Sequence, residues 1–277
     1  MTITESIILG IVQGITEFLP VSSSGHLVVL QKYMGLDSAG DEMILFDLAV
    51  HVGTVVAVLI YYRHSIAKYL LHLKNSLTSQ RSPAELYSRS PSVRISICAI
   101  SAIAVTGIFY ALAGDWIEQG FESSTTVGIC WLITATLLIV TDQRKHTGRG
   151  LRQFGIAAAV AIGLAQGMAL WPGISRSGTT ICIAVLLGLR RRWAVEFSFL
   201  IGIPAILAAA LIKGTQAFQN GPSAIDWAPI LVATVVSAAV GLVALGLLIW
   251  AVKKAKLKYF AIYLYLIGTL TLIFSLP

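Results

Sequence analysis

The residues able to do chemistry in this chain are gathered in two short stretches of an otherwise apolar sequence. The first holds Gln13 and Glu17, four residues apart, followed by PVSSSGH from Pro20 to His26. The second is WPGISRSGTT, from Trp171 to Thr180. Arg176 offers forked donors suited to phosphate oxygens. The glycine- and serine-rich breaks supply backbone N–H groups and helix N-termini that favour anions. Glu17 does not favour an anion directly, so its role is to hold a divalent cation that bridges to phosphate or to act as a general base. Gln13 shares a helical face with Glu17 and adds an oxygen ligand. His26, the only imidazole in either stretch, suits a base, an acid or a direct nucleophile. A phosphoryl-transfer site would use all these parts.

Each residue also has a plainer reading. Glu17 and Arg176 could be a structural ion pair locking the two stretches together, and His26 a satisfied structural histidine. Ser24 and Ser177 could cap the breaks. Gly10, Gly14, Gly163 and Gly167 could serve close packing between membrane helices. Asp47 and His51, four residues apart inside an apolar run, read as a structural or supporting pair, with contact to substrate or metal as the alternative.

The rest of the chain must place these groups. Of 277 residues 56% are hydrophobic and 12% charged, and mean hydropathy is +0.81, whereas a soluble domain carries roughly 25% charged residues. That balance excludes a secreted disulfide scaffold, a disordered tail and almost any soluble enzyme, because too few polar groups exist to coat a water-soluble fold. The net charge of +7 comes from short basic clusters between apolar runs rather than from one amphipathic face, which argues against a nucleic-acid partner. Cys98, Cys130 and Cys182 lie far apart inside apolar runs, without metal-ligand spacing. The N-terminus has no basic region and no small-residue cleavage site, so the first apolar stretch is expected to be retained.

Runs 44–62, 93–112, 125–141, 197–211, 230–252 and 259–276 are long enough to cross a bilayer. Two further stretches are broken: 2–19 stops at Pro20 before a short apolar piece at 27–36, and 154–170 stops at Trp171 and Pro172 before 179–189. Basic clusters at 63–94, 144–152, 190–192 and 253–258 are assigned to the cytoplasmic side. Loops with Asp37, Asp41 and Glu42, and with Asp115, Glu118 and Glu122, are assigned to the other side. This threading makes both broken stretches re-entrant, their halves meeting near mid-membrane, where irregular backbone must be buried in protein or line a wet cavity. At a constant offset of 153, Gly10, Gln13, Gly14, Ser22, Ser24, Gly25, Gly35, Leu36 and Phe46 match Gly163, Gln166, Gly167, Ser175, Ser177, Gly178, Gly188, Leu189 and Phe199. Three spans separate the equivalent hairpins, and an odd number inverts orientation. The fold expected is therefore an all-α integral membrane domain over 1–277, an inverted-topology repeat of halves 1–148 and 149–277. Each half holds one re-entrant helical hairpin and three spanning helices.

Gln13 and Glu17, the following FLPVSSSGH, and PGISRSGTT resemble the signature motifs of the bacterial undecaprenyl-pyrophosphate phosphatases of the BacA type, and the resemblance covers essentially the whole chain. It implies an inner-membrane hydrolase that converts a C55 polyprenyl diphosphate to the monophosphate and phosphate, recycling the lipid carrier for cell-wall synthesis. By that resemblance Glu17 and Gln13 bind a divalent cation, Mg2+ or Ca2+. Ser23 and His26 form the nucleophile or acid/base pair, and Ser22, Ser24, Ser175, Arg176, Ser177 and Thr180 contact the diphosphate. The family allows Glu or Gln where this chain has Gln13. The resemblance leaves open which of serine and histidine attacks, and it expects the site to open to the extracytoplasmic side. Both termini are assigned to that side as well. The partners expected are the polyprenyl diphosphate and membrane lipids, with room for a homodimer and no nucleic acid.

Two rivals use the same parts. A lipid flippase or transporter also has inverted repeats with broken helices, but needs no acid/base group. A type-2 phosphatidic-acid phosphatase shares Ser24, Gly25 and His26, yet it requires a histidine after its Ser-Arg, and none follows Ser175 and Arg176.

Overall fold

The computed structural model describes residues 1–36, 40–121, 123–144, 148, 150, 154–219 and 225–275, with the side chains of 41 and 216–219 also left aside. Asp37, Glu122, Lys145, Arg149, Arg152 and Leu276, all used in the loop, cluster and span assignments, lie outside the described residues. The described residues form helices and no strand: α1 Ile3–Phe18, α2 Ser23–Tyr33, α3 Asp41–Leu77, α4 Pro83–Arg89, α5 Pro91–Gly120, α6 Ser124–Asp142, α7 Ile156–Met168, α8 Arg176–Leu186, α9 Arg191–Gln219, α10 Trp227–Lys253 and α11 Leu257–Ser275. Six of them, α3, α5, α6, α9, α10 and α11, are long and apolar enough to cross a membrane. The chain is a multi-pass membrane protein.

Several helices outrun the apolar runs that announced them. Helix α3 has 37 residues, about 55 Å at 1.5 Å per residue, so it projects well beyond a ~30 Å hydrocarbon layer and carries Arg63, Lys68 and Lys74 with it. No glycine or proline interrupts it between Tyr62 and Leu77, and the charged residues there are good helix formers. For the same reason Asp115 and Glu118 sit in the last turns of α5 rather than in a loop, and Glu42 lies in the first turn of α3. Helix α4 has a local cause: Ser82 caps it, Glu85 completes a capping box and Pro83 occupies the first turn.

The short helices lie among the long ones. Helix α1 packs along α10, α7 along α5, and α6 against α11, while α3 contacts both α9 and α10. Glycine permits the first two contacts. A Cβ at Gly10 would stand 2.8 Å from the Ala233 carbonyl oxygen, and one at Gly163 would stand 2.5 Å from that of Ala102. Backbones meet directly at these points, as small residues allow between membrane helices. Gly163→Ala is therefore expected to destabilise the protein by about 1–3 kcal/mol through overpacking. Gly246→Ala, where the new methyl meets nothing within 4 Å, should leave stability unchanged or slightly raised. Thermal unfolding of both variants in detergent checks the contrast.

The two pairs of short helices are built alike. Gly35 and Gly188 end α2 and α8 with φ of +70° and +93°, the left-handed conformation that glycine adopts without penalty. Leu36 N–H bonds back to Gln31 and Leu189 N–H to Ala184. At the other ends, Ser22 and Ser175 accept from the N–H groups of Gly25 and Gly178.

Candidate active site

Helices α2 and α8 begin earlier than the apolar pieces at 27–36 and 179–189 indicate. Ser23, Ser24 and His26 thus lie in the first turn of α2, and Arg176 is the first residue of α8. The N-caps are Ser22 and Ser175, not Ser24 and Ser177. The two breaks interlock. Gly173 N–H donates to Ser22 Oγ at 3.1 Å, and Ser177 Oγ donates to the Phe18 carbonyl at 3.1 Å. Ser22 holds φ +67°, a conformation a non-glycine residue keeps only when its surroundings compel it. Its hydroxyl, shared by Gly25 N–H and Gly173 N–H, supplies that compulsion.

This interlock brings four elements onto one carboxylate. Glu17, in the last turn of α1, is 5% exposed. Its Oε1 takes Arg176 Nη2 at 2.5 Å. Its Oε2 accepts from Ser23 Oγ at 2.6 Å and from Gln13 Nε2 at 3.1 Å, and His51 Nε2 of α3 stands 3.5 Å from the same oxygen. Neither Glu17 nor Arg176 suits the helix end it occupies. A carboxylate at a C-terminus and a cation at an N-terminus both oppose the helix dipole, and each offsets the other. Room for the guanidinium comes from α9: a Cβ at Gly202 would overlap Arg176 Nη1.

The imidazoles are oriented by their second nitrogens. His51 Nδ1 lies 2.6 Å from the Asp47 carbonyl and His26 Nδ1 2.7 Å from that of Ser22. A carbonyl only accepts, so both rings carry a proton on Nδ1. With its proton on Nδ1, His51 turns the Nε2 lone pair toward Glu17 Oε2, 3.5 Å away, an arrangement that a cation between them would satisfy. Nearby, Gln13 Oε1 is buried without a hydrogen-bond partner. An orphaned amide oxygen, a carboxylate and an imidazole nitrogen are the ligand types a hard cation takes.

His26 belongs to a different group. Its Nε2 lies 2.8 Å from Tyr263 Oη, its ring stacks on Tyr263 at 5.8 Å between centroids, and Trp131 lies 4.9 Å away. Ser23 is thus bonded to Glu17, and both His26 nitrogens are engaged elsewhere. Several hydroxyls assigned to the diphosphate are likewise bonded to the protein. Ser22 and Ser24 face each other at 3.3 Å, as do Ser175 and Ser177, and Thr180 Oγ1 bonds to the Arg176 carbonyl and to Ser198.

His51 meeting Glu17 was visible in the sequence only as one of two polar residues inside an apolar run. Asp47 turns instead to Gln31, whose Nε2 donates to it at 2.8 Å. Tyr263 and Gly202 gave no signal, because a membrane-helix tyrosine and glycine are ordinary. Trp131, whose indole N–H is buried without a partner beside Gly25, gave none either.

The family model described as "Bacitracin resistance protein BacA" matches residues 6–270. A protein of Carboxydothermus hydrogenoformans named undecaprenyl-diphosphatase is 36% identical over 272 residues, covering 97% of this chain and 96% of its own. One from Alkaliphilus metalliredigens with the same name is 35% identical over 280 residues and covers 100% of both chains. Another so named, from Halorhodospira halophila, is 34% identical over 280 residues, 99% of this chain and 98% of its own.

Proposed function

This chain belongs to the bacitracin resistance protein BacA family, and from that premise we propose that it hydrolyses undecaprenyl diphosphate, a C55 polyprenyl diphosphate, to the monophosphate and inorganic phosphate. One observation carries the chemistry: the Ser23 hydroxyl donates to a buried carboxylate whose other oxygen is held by Arg176. Ser23 Oγ attacks the terminal phosphorus and Glu17 takes its proton. The bridging P–O bond breaks, and the lipid monophosphate leaves with that proton. A phosphoserine remains. Water then attacks it, Glu17 accepts the water proton, and the proton passes to Ser23 Oγ as phosphate departs. Arg176, released from Glu17 by the incoming anion, pairs with the phosphoryl oxygens as charge builds on them. The first N–H groups of α2 and α8, which lack intrahelical partners, add to the same anion site. His26, three residues after Ser23 in the first turn of α2 and with Nε2 turned to Tyr263, is assigned a positioning or acid/base role.

Glu17, Gln13 Oε1 and His51 Nε2 fit a hard divalent cation, Mg2+ or Ca2+. When bound it would neutralise phosphate charge beside a buried carboxylate.

The surrounding architecture is read as an inverted repeat of halves 1–148 and 149–277, with α1–α2 and α7–α8 as re-entrant hairpins. Three observations support this. The contacts exchange as a two-fold relation requires, with Gly10 on Ala233 and Gly163 on Ala102. The outer ends of the first hairpin lie near one another's neighbours: the Met1 amine stands 4.0 Å from Glu42 and Lys32 Nζ donates to Ser124. The outer ends of the second return to the basic end, where Arg190 Nε donates to the Gly148 carbonyl. With basic residues inside, both termini and the opening of the site face the extracytoplasmic side of a bacterial inner membrane. The isoprenoid remains in lipid while its diphosphate enters between the breaks.

Purified protein in detergent with Mg2+ is expected to release one phosphate per undecaprenyl diphosphate, leaving the monophosphate as seen by 31P NMR, and to lose this activity on chelation. Movement of the lipid between leaflets without phosphate release would instead support the transporter reading and defeat this one.

A further inference from the structure

Tyr263 belongs to the stripe of α11 that faces outward. Tyr259, Ile262, Leu266 and Leu270 are exposed with it, at the three- and four-residue spacing of one helix face, and on a spanning helix an outward apolar face meets lipid. Yet the Tyr263 hydroxyl lies 2.8 Å from His26 Nε2, and its ring stacks on the imidazole. His26 stands three residues after Ser23, in the first turn of α2, where that spacing keeps both on neighbouring faces. A single side chain therefore stands here between lipid and a residue of the site.

Elsewhere the helices that carry the site are sealed by close contact. Helix α1 meets α10 at Gly10 and Gly14, where a Cβ would come within 2.8 Å of the Ala233 and Ser237 carbonyl oxygens, and α8 meets α9 at Gly202, with no room for a methyl beside Arg176. Helices α2 and α11 are not packed along one another. They share α6 as a floor instead. Trp131 lies against both Gly25 and Gly268, Lys32 Nζ donates to Ser124, and Leu272 lies against Gly128, so α2 and α11 run the same way along α6. Between them is a groove that starts at His26 and Tyr263. Four and seven residues further on, one wall carries Leu30 and Tyr33 and the other Ile267 and Leu270, none of them buried. Its walls are apolar, its inner end carries three rings, with Trp131 4.9 Å from His26, and it leads to a polar site. A long apolar chain with a phosphate head matches that order of surfaces.

We propose that the first isoprene units of the lipid substrate lie in this groove against the Tyr263 ring, which makes Tyr263 a specificity-determining residue for the prenyl chain. The identity of the substrate rests on the hydrolase reading above. The chain turns the Tyr263 side chain away from His26 as it enters, and the diphosphate passes on to Ser23. The test is photolabelling of the full chain in nanodiscs with a farnesyl phosphate that carries a diazirine in its first isoprene unit, with plain farnesyl phosphate as competitor and peptide mass spectrometry as the readout. Competed label is expected in α11 about Tyr263 and in α2 about Leu30. Label confined to α3 and α9, or no competed label, overturns the proposal. Kinetics gives a second readout. Tyr263→Phe and Tyr263→Ala both lose the hydroxyl, so only the ring separates them. On farnesyl diphosphate the KM of the alanine variant should exceed that of the phenylalanine variant by about tenfold, the loss of an apolar ring contact. On methyl diphosphate, which has no prenyl chain, the two should agree within about twofold. An equal gap on both substrates means that Tyr263 only supports His26, and the proposal falls. Labelling needs no turnover: label at Tyr263 without phosphate release defeats the hydrolase reading and keeps the groove, whereas release without label there defeats the groove alone.

Discussion

Replacing Arg176 with lysine is expected to leave a folded protein that releases phosphate at least about a hundredfold more slowly, the usual cost of losing one preorganised donor in a dry site. The lysine keeps a positive charge beside Glu17, so the buried carboxylate is still paired and the α1–α8 junction should survive. What it lacks is the planar fork, which lets one guanidinium hold two phosphoryl oxygens as their charge grows. Arg176→Ala is a different experiment. It leaves Glu17, 5% exposed, without its closest cation, and stranding one member of a buried pair costs about 3–5 kcal/mol. Thermal unfolding in detergent should therefore fall clearly for the alanine variant and little for the lysine variant, while kcat falls in both. A lysine variant with kcat within about tenfold of the original would mean that Arg176 only locks the two helix breaks together, and the transition-state role assigned by analogy with other phosphoryl-transfer arginines would be withdrawn.

The larger effect is expected at Ser23. If its oxygen forms the bond to phosphorus, Ser23→Ala should lower turnover by at least about a thousandfold, and Glu17→Gln, which keeps the shape of the side chain but not its basicity, should do nearly the same. Residues that act as a unit are not additive, so the double variant should be no slower than the worse single one. Multiplying losses would mean that the two act independently. Label transfer gives a second readout. A phosphoenzyme formed from diphosphate labelled at its terminal, β, phosphorus should be trapped in the unsubstituted protein and in His26→Ala, and be absent from Ser23→Ala. Label that survives in Ser23→Ala and vanishes in His26→Ala would assign the attack to histidine, with the Tyr263 hydroxyl at 2.8 Å as the group that had masked its Nε2.

Much of the fold was legible in the chain because a bilayer leaves few options. Backbone polar groups must be satisfied within each segment, so apolar runs become helices, and all six candidate spans are present. Their ends were less legible. Hydropathy marks where lipid stops, not where helical hydrogen bonding stops, and α3 continues from Tyr62 to Leu77 through residues that water tolerates. The starts of α2 and α8 were misplaced for the converse reason. Serine and glycine read as a break, yet once Ser22 and Ser175 cap the chain, the polar residues after them are the first helical turn.

Within the site, the sequence by itself determined the inventory: a carboxylate, a guanidinium, hydroxyls and an imidazole in two stretches separated by about half the chain, each too costly at membrane depth to lack a partner. Only the tertiary structure decided the partners. Glu17 and Arg176 are 159 positions apart, and no spacing rule reaches that far. It also divided the two histidines. His51 stands against Glu17, whereas His26 turns to Tyr263. The reason is physical: spacing along a helix fixes which residues share a face, but what that face meets depends on how closely the helices approach. Here that approach is set by glycines such as Gly10, Gly163 and Gly202, whose missing side chains become informative only when the opposing backbone or guanidinium is in place.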